Sequence, residues 1–162
     1  MDIETFTHIH TGISLIALIL GIPTIAGLLG RPVTPFTVYG FLIMALVTSI
    51  TGFMFPFIAI TPAFVTGIIA TLVLIATFYA LLIGRNMGAW RIVSAIGIVA
   101  SEYLLAFVFV VQAFLKIPAL AVYAPGGAGP VFATVQLVVL VFFCWLGWRA
   151  VRQSRLVAAA LA

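Results

Sequence analysis

The chain has 162 residues, of which 65% are hydrophobic and 6% are charged. A water-soluble domain of this size needs far more charge on its surface, and the charges here lie between long apolar runs, so the composition excludes a soluble protein and places the chain in a lipid bilayer. The net charge of +4 comes from dispersed cations without a basic cluster, and we therefore predict no nucleic-acid partner.

Apolar runs of about 20 residues, the length that crosses a hydrocarbon core of roughly 30 Å, predict five transmembrane helices. We expect one transmembrane domain over residues 1–162 with an all-α fold, an integral membrane helical bundle. The five predicted spans are residues 7–30, 33–57, 62–84, 89–115 and 130–149.

The first two spans carry features of close helix packing. Pro23 lies near the middle of the first span, where a proline removes a backbone hydrogen bond, and this predicts a kink between residues 20 and 23. In the second span, Ala45, Ser49 and Gly52 form a ridge of small residues that lets another helix approach closely. The ridge predicts an interface, either within the chain or between subunits.

Turns and loops separate the later spans. Prolines near both ends of residues 55–62 predict a tight turn, and residues 84–88 predict another, with a glycine at the end of the preceding helix. The prolines and glycines of residues 117–130 predict an irregular loop that lies along the membrane surface or folds back as a lid. Cys144, the only cysteine, lies within the fifth span and is expected to be a small buried hydrophobic residue.

The positions of the basic residues predict how the chain is oriented, because cytoplasmic loops retain Lys and Arg during insertion. With five spans, all six arginines fall on one side of the membrane: Arg31, Arg85, Arg91, Arg149, Arg152 and Arg155. The other side holds Lys116, Asp2 and Glu4. We therefore expect the N-terminus outside and the C-terminus inside.

Glu102 is the only acid within a predicted span and lies near the middle of the fourth. Since a charge at that depth costs about 2.5 to 3.5 kcal/mol, Glu102 should face protein or water. Arg91 and Lys116 share its stripe on the helix, but they lie about 16 Å and 21 Å away along the axis, too far for a salt bridge. The stripe could line a hydrated path with a proton-binding Glu102. Alternatively, it could be a packed face on which Glu102 bonds a hydroxyl of Ser49, Thr51 or Thr77.

His8 and His10 form a His-x-His pair at the start of the first span. In an extended backbone the two imidazoles would point the same way and could bind zinc or copper, with Glu4, Asp2 or a second subunit completing the ligands. In a helix they would diverge by about 200°. The pair is therefore a metal-site candidate that depends on the local backbone.

Other cofactors would need groups at the same outer interface. Haem held by two histidines fits only between subunits, because the later spans contain no histidine. Quinone needs only hydrogen-bonding groups in an apolar cleft, and His10, Gln112, Lys116 and Tyr123 could converge to supply them. The alternative is that these residues contact lipid headgroups. Gln112 and Gln136, on the same membrane side, are predicted to bond across two helices.

Residues 110–120, followed by Ala124-Pro125 and a final apolar span with a basic tail, resemble a pattern in small uncharacterised bacterial inner-membrane proteins. The resemblance implies a multi-pass protein of a bacterial inner (plasma) membrane and carries no activity. Where such proteins have a polar stretch before the last span, this chain has Gly126-Gly127-Ala128-Gly129.

The sequence leaves several functions open. It contains no phosphate-binding loop, nucleophile elbow or hydrolytic triad, so an enzyme is not the expectation. The first hypothesis is an oligomeric conduit or proton-linked transporter of an ion or small solute, with Glu102 as its titratable group. The alternative is a redox or accessory subunit that binds quinone, haem or metal at the outer face. A third is a structural partner in a larger membrane complex.

Overall fold

The computed structural model describes residues 2–56 and 62–160, and over these residues the chain consists of helices, turns and short connections. The predicted all-α fold is confirmed. The helices, numbered in chain order, are α1 (Ile3–Leu28), α2 (Pro35–Phe53), α3 (Pro62–Leu82), α4 (Ala89–Lys116), α5 (Pro118–Ala121) and α6 (Pro130–Ala160). All but α5 are long and apolar enough to cross a membrane, which confirms the five predicted spans.

The five long helices form an up-and-down bundle with two ends. Gly52, near the end of α2, lies beside His10 near the start of α1, and Gly30, after α1, lies beside Gln153 near the end of α6. We call these the N-terminal end, where α1 begins, and the C-terminal end, where α6 finishes. Residues 57–61, the middle of the predicted turn at residues 55–62, lie outside the described part of the chain.

Helix α4 occupies the centre of the bundle and packs against α1, α3 and α6. Its buried residues include Ala95, Ile98 and Val99, which join Phe41 and Leu42 of α2 in one hydrophobic core. Helix α6 lies at the edge, and its outward side chains are apolar and exposed, as expected for a surface that faces lipid. Cys144 is among the exposed residues of α6, so the expectation that it is buried was wrong.

The helix boundaries follow from local sequence. Thr34 caps α2, because its hydroxyl accepts a hydrogen bond of 3.2 Å from the backbone N–H of Thr37, and Pro35 starts the first turn. Helix α1 continues through Pro23. The hydroxyl of Thr24 donates to the carbonyl of Leu20 at 2.8 Å there. Helix α6 continues past residue 149 to Ala160, so its last turns extend beyond the apolar run.

The turn between α3 and α4 differs from its prediction. The residues with positive φ are Arg85 (53°), Asn86 (50°) and Gly88 (51°), and Gly84 at the end of α3 is not among them. The Asn86 side chain stabilises this turn, since its Oδ1 accepts a hydrogen bond of 2.6 Å from the Ser94 hydroxyl. Gly84 is required for a different reason: a Cβ atom there would overlap the ring of Trp90.

The segment between α4 and α6 is more ordered than its sequence suggested. It contains the single helical turn α5 and a 3-10 turn at Pro125–Gly127. The segment folds back on the end of α4. Ala124 is 1% exposed, and a Cβ atom at Gly127 would lie 2.9 Å from the Leu115 side chain.

Candidate functional site

Glu102 is buried in the middle of the bundle, with 3% of its surface exposed. Its carboxyl group lies against the backbone of Gly21 in α1, so closely that a Cβ atom at position 21 would overlap both carboxyl oxygens and the carbon between them. The glutamate therefore fills the space that a side chain at position 21 would occupy. This contact joins α1 and α4 at mid-depth, and we call Glu102 and Gly21 the mid-membrane site.

The turn of α1 that contains Gly21 also contains Pro23 and Thr24. Pro23 lacks an N–H group, so the carbonyl of Ile19 has no helical donor four residues later. Next to it, Thr24 is 1% exposed, and its hydroxyl hydrogen goes to the carbonyl of Leu20. Gly21 is the residue of this turn whose backbone lies against Glu102, whereas Pro23 is on the exposed side of α1.

Two polar atoms on α4 are buried without a hydrogen-bond partner among the described residues: Oε2 of Glu102 and the hydroxyl oxygen of Ser101. Leaving a neutral polar group unpaired costs about 1 to 3 kcal/mol, and an unpaired charge costs more. A proton or a cation on the carboxyl group of Glu102 would remove the charge part of that cost. The site therefore has the chemistry of a group that binds a positive species at mid-depth.

The hydroxyl groups considered from the sequence as partners of Glu102 are engaged elsewhere. Ser49 donates to the carbonyl of Ala45 at 3.1 Å, and Thr77 donates to that of Val73 at 2.7 Å. Thr77 instead packs against α4, where its hydroxyl would overlap a Cβ atom at Gly97. These contacts bring α3 close to α4 but place no hydrogen bond on Oε2 of Glu102.

The stripe of α4 that carries Glu102 is packed against other helices over much of its length. Ala95 is fully buried, and Val99 is 4% exposed with its Cγ1 3.8 Å from the position of a Cβ at Gly147 in α6. Arg91 is half-buried near the C-terminal end, and Lys116 is exposed at the N-terminal end. The two cations therefore mark opposite ends of the stripe, and neither contacts Glu102.

His10 makes a specific contact at the N-terminal end. Its Nδ1 lies 2.8 Å from the hydroxyl oxygen of Thr51 in α2, and its ring meets Phe55 edge-on at a centroid distance of 5.2 Å. Since the Thr51 hydroxyl donates to the carbonyl of Val47 at 2.7 Å, its oxygen is left to accept from His10. We therefore assign the Nδ1–H tautomer to neutral His10, which leaves Nε2 as an acceptor.

The structure does not bring His8 and His10 together. Both lie in the regular helix α1, where their side chains diverge, and His8 is exposed with its Nε2 4.0 Å from Oε1 of Glu4. Asp2 forms a hydrogen bond with the side chain of Thr5, which lowers the pKa of Asp2. Within residues 2–56 and 62–160 no three His, Cys, Asp or Glu side chains are grouped so that they could hold a metal ion.

The other candidates from the sequence are Lys116, Gln112 and Tyr123. Lys116 is exposed at the same end of the bundle as His10. Gln112 is half-buried on α4, and Tyr123 is 61% exposed on the segment after α5. The predicted bond across α4 and α6 exists with a different partner, since Nε2 of Gln136 donates to the backbone carbonyl of Phe107 at 3.1 Å.

The sequence pointed to Glu102 but not to Gly21. Gly21 is one of four glycines in the first predicted span, and its role depends on which face of α1 meets α4. One signal was present: Gly21 lies near the middle of its span, as Glu102 does, and is followed closely by Pro23 and Thr24. A helix that is apolar on every side gives no sequence signal for its rotation.

Comparisons of the chain with protein-family models, with curated proteins and with solved structures gave no match. The function therefore has to be argued from the chemistry of the sites, because a helical bundle by itself supports many functions.

Proposed function

We propose that this integral membrane protein moves protons, or a small solute or ion coupled to protons, across a membrane, with Glu102 as the group that takes up and releases the proton. The observation that carries the proposal is the position of Glu102, a carboxyl group buried at mid-depth against Gly21 with one oxygen unpaired. Buried ionisable groups at this depth are costly in membrane helices, and they mark proton relays and solute paths.

The neighbouring helix supplies the second part of the argument. Transporters commonly place their ion and substrate sites at mid-depth, where a helix is interrupted and backbone groups are free. Here Pro23, two residues from Gly21 in α1, leaves the carbonyl of Ile19 without a helical donor. A proton on Glu102 favours a tight contact between α1 and α4, and its loss favours separation of the two helices, because an ionised carboxylate needs water or a cation.

The membrane setting is part of the same proposal. The six arginines at the C-terminal end favour a topology in which that end faces the cytoplasm and the N-terminus lies outside. The resemblance to small bacterial inner-membrane proteins favours the plasma membrane of a bacterium. Five helices enclose little space for a path by themselves, so we propose that copies of the chain assemble into a homo-oligomer.

Proton flux in proteoliposomes tests this function directly. The purified protein is reconstituted with a pH-sensitive dye inside the vesicles, and flux is measured across pH for the wild type, Glu102→Gln and Glu4→Gln. Glutamine keeps the shape of Glu102 but cannot exchange the proton, so we expect flux to be lost in that variant. Glu4→Gln removes an exposed carboxylate, with 83% of the side chain accessible, and should behave as the wild type. Equal flux in all three proteins would refute the proposal.

The N-terminal end favours a second candidate function, the binding of a quinone by a redox or accessory subunit. Thr51 orients the ring of His10 so that Nε2 is left as an acceptor, and Lys116 offers a donor at the same end of the bundle. Solvent extraction and an absorption spectrum of the protein, purified from membranes that contain quinones, test this idea. Co-purified quinone that is lost in His10→Phe supports it, and a quinone-free wild-type preparation contradicts it.

A further inference from the structure

We infer that the C-terminal end of α6 contains a binding site for an anionic phospholipid headgroup, formed mainly by Arg149 and Arg152. The two arginines line a surface cavity of about 390 Å³ together with Trp148, Gln153 and Leu156. This volume is within the range of roughly 300 to 1,000 Å³ that is usual for sites of small molecules. The inference is independent of the function proposed for Glu102.

The length of α6 places these arginines at headgroup depth. Counting from Pro130, about 20 residues cross the hydrocarbon core, which brings the helix to the level of Arg149. The remaining residues, up to Ala160, continue for about 16 Å beyond that level at 1.5 Å per residue. Arg152 then lies one turn outside the hydrocarbon, where lipid phosphates are found.

Aromatic side chains hold both guanidinium groups in place. The guanidinium carbon of Arg149 lies 5.4 Å from the ring centre of Trp145, and that of Arg152 lies 5.8 Å from the ring centre of Trp148. Both guanidinium groups are therefore within the range of a cation–π contact with a tryptophan ring. The N–H edges of a guanidinium group have the geometry that binds two oxygens of one phosphate.

The chain offers no acidic side chain to neutralise this end. Its three acids are Asp2 and Glu4, at the opposite end of α1, and Glu102 at mid-depth. Arg31 adds a further cation at the same end, next to Gly30, which lies beside Gln153 on the wall of the cavity. A cavity with two oriented arginines and no acidic side chain at its end of the bundle fits a ligand that brings its own negative charge.

The chemistry recognised is a phosphate that carries an exposed negative charge, and the source that fits the position is a lipid of the adjoining leaflet. A phosphatidylglycerol headgroup has this charge, whereas a phosphatidylcholine headgroup cancels it with its own quaternary ammonium group. The acyl chains would lie along the apolar outward face of α6. Charge and position therefore both favour the anionic lipid.

Native mass spectrometry of the detergent-solubilised full chain tests the site. Phosphatidylglycerol and phosphatidylcholine with identical acyl chains are titrated into the wild type, Arg149→Gln/Arg152→Gln and Arg85→Asn/Arg155→Gln. The second double variant removes the same charge at the same end, from residues that do not line the cavity. We expect the wild type to prefer phosphatidylglycerol, the first variant to bind it roughly 30-fold more weakly, and the second to stay within a few-fold of the wild type.

Equal binding of both lipids by the wild type would overturn the inference. Equal losses of binding in the two double variants would also overturn it, because they would indicate general electrostatic attraction. Competition by inorganic phosphate at concentrations similar to the lipid would assign the site to a free phosphate instead. If the glutamine variant does not fold, Arg149→Lys/Arg152→Lys replaces it. Lysine keeps the charge without the planar edge, so weaker binding than the wild type is expected and unchanged binding would contradict the role of the stacked guanidinium groups.

Discussion

The carboxyl group of Glu102 in α4 occupies the space beside Gly21 in α1 that any side chain at position 21 would need. Glu102 is 3% exposed, so protein atoms surround its carboxyl group on nearly every side. The absence of a side chain at Gly21 in α1 therefore leaves the space that the Glu102 side chain of α4 fills. The contact links the packing of the bundle to the one acid in its interior.

The first prediction is that Gly21→Ala destabilises the fold by about 1 to 3 kcal/mol, because the new methyl group forces the Glu102 side chain out of a well-packed position. In the Glu102→Ala background the same change should cost much less, since the carboxyl group is gone. Reversible unfolding in mixed micelles, analysed as a double-mutant cycle, measures this coupling.

Gly12→Ala is the matched control for that experiment. Gly12 also lies within α1, but nothing approaches the position of its missing Cβ within 4 Å. Alanine there should be neutral or stabilise the helix by up to about 1 kcal/mol. If both alanine variants behave alike, or if the cycle shows no coupling between positions 21 and 102, the close contact does not exist in the membrane protein.

Much of this architecture is predictable from sequence, and the reason for the remainder is physical. The five spans follow from run length, and Glu102 is conspicuous because it is the only acid in a span. The sequence does not show which face of each helix packs against protein and which faces lipid, because both surroundings accept the same apolar residue types. Ala17 is buried and Ile19 is 64% exposed, although both are apolar.

The N-terminal end shows the same limit. The sequence placed His10 and Lys116 at the same end of the bundle, but it did not reveal Thr51 as the partner of the imidazole, because that contact depends on the register of α1 against α2. Similarly, a pairing of Gln136 with another side chain was expected, and a backbone carbonyl takes that place. Polar contacts between helices can use any backbone carbonyl, so residue type alone does not select the partner.

The second prediction concerns the tautomer of His10. Thr51→Val removes the oxygen that accepts from Nδ1, so neutral His10 should shift from the Nδ1–H form toward a mixture of both tautomers. Nitrogen NMR of labelled histidine, recorded at alkaline pH, reports the two forms. Thr48→Val is the control, because the Thr48 hydroxyl bonds only the Met44 carbonyl of its own helix. An unchanged His10 spectrum in Thr51→Val would contradict the assigned contact.

The third prediction concerns orientation. In a Cys144→Ala background, single cysteines are introduced as Glu4→Cys and Arg155→Cys, at the two ends of the bundle. If the arginine-rich end faces the cytoplasm, a membrane-impermeant maleimide should label position 4 in intact bacterial cells and position 155 only after the cells are opened. The opposite pattern would reverse the proposed topology. The background change itself should alter stability by less than about 0.5 kcal/mol, since Cys144 is exposed.

The fourth prediction is that Gln136→Leu leaves the protein as stable as the wild type or makes it more stable by about 1 kcal/mol. Gln136 donates one hydrogen bond to the Phe107 carbonyl, but its own Oε1 is buried without a partner among the described residues. A hydrogen bond between membrane helices contributes only about 0.6 kcal/mol on average, whereas an unpaired buried oxygen costs about 1 to 3 kcal/mol. In Gln136→Leu the Phe107 carbonyl keeps the backbone N–H donor of its own helix. The substitution therefore removes the unpaired oxygen, which costs more, together with one hydrogen bond, which contributes less.

Gln136→Glu is the matched control. It keeps the size of the side chain but replaces the N–H donor with a second acceptor, so it should be clearly destabilising in the same unfolding experiment. A leucine variant that is destabilised by more than about 1 kcal/mol would show that the bond to Phe107 outweighs the unpaired oxygen.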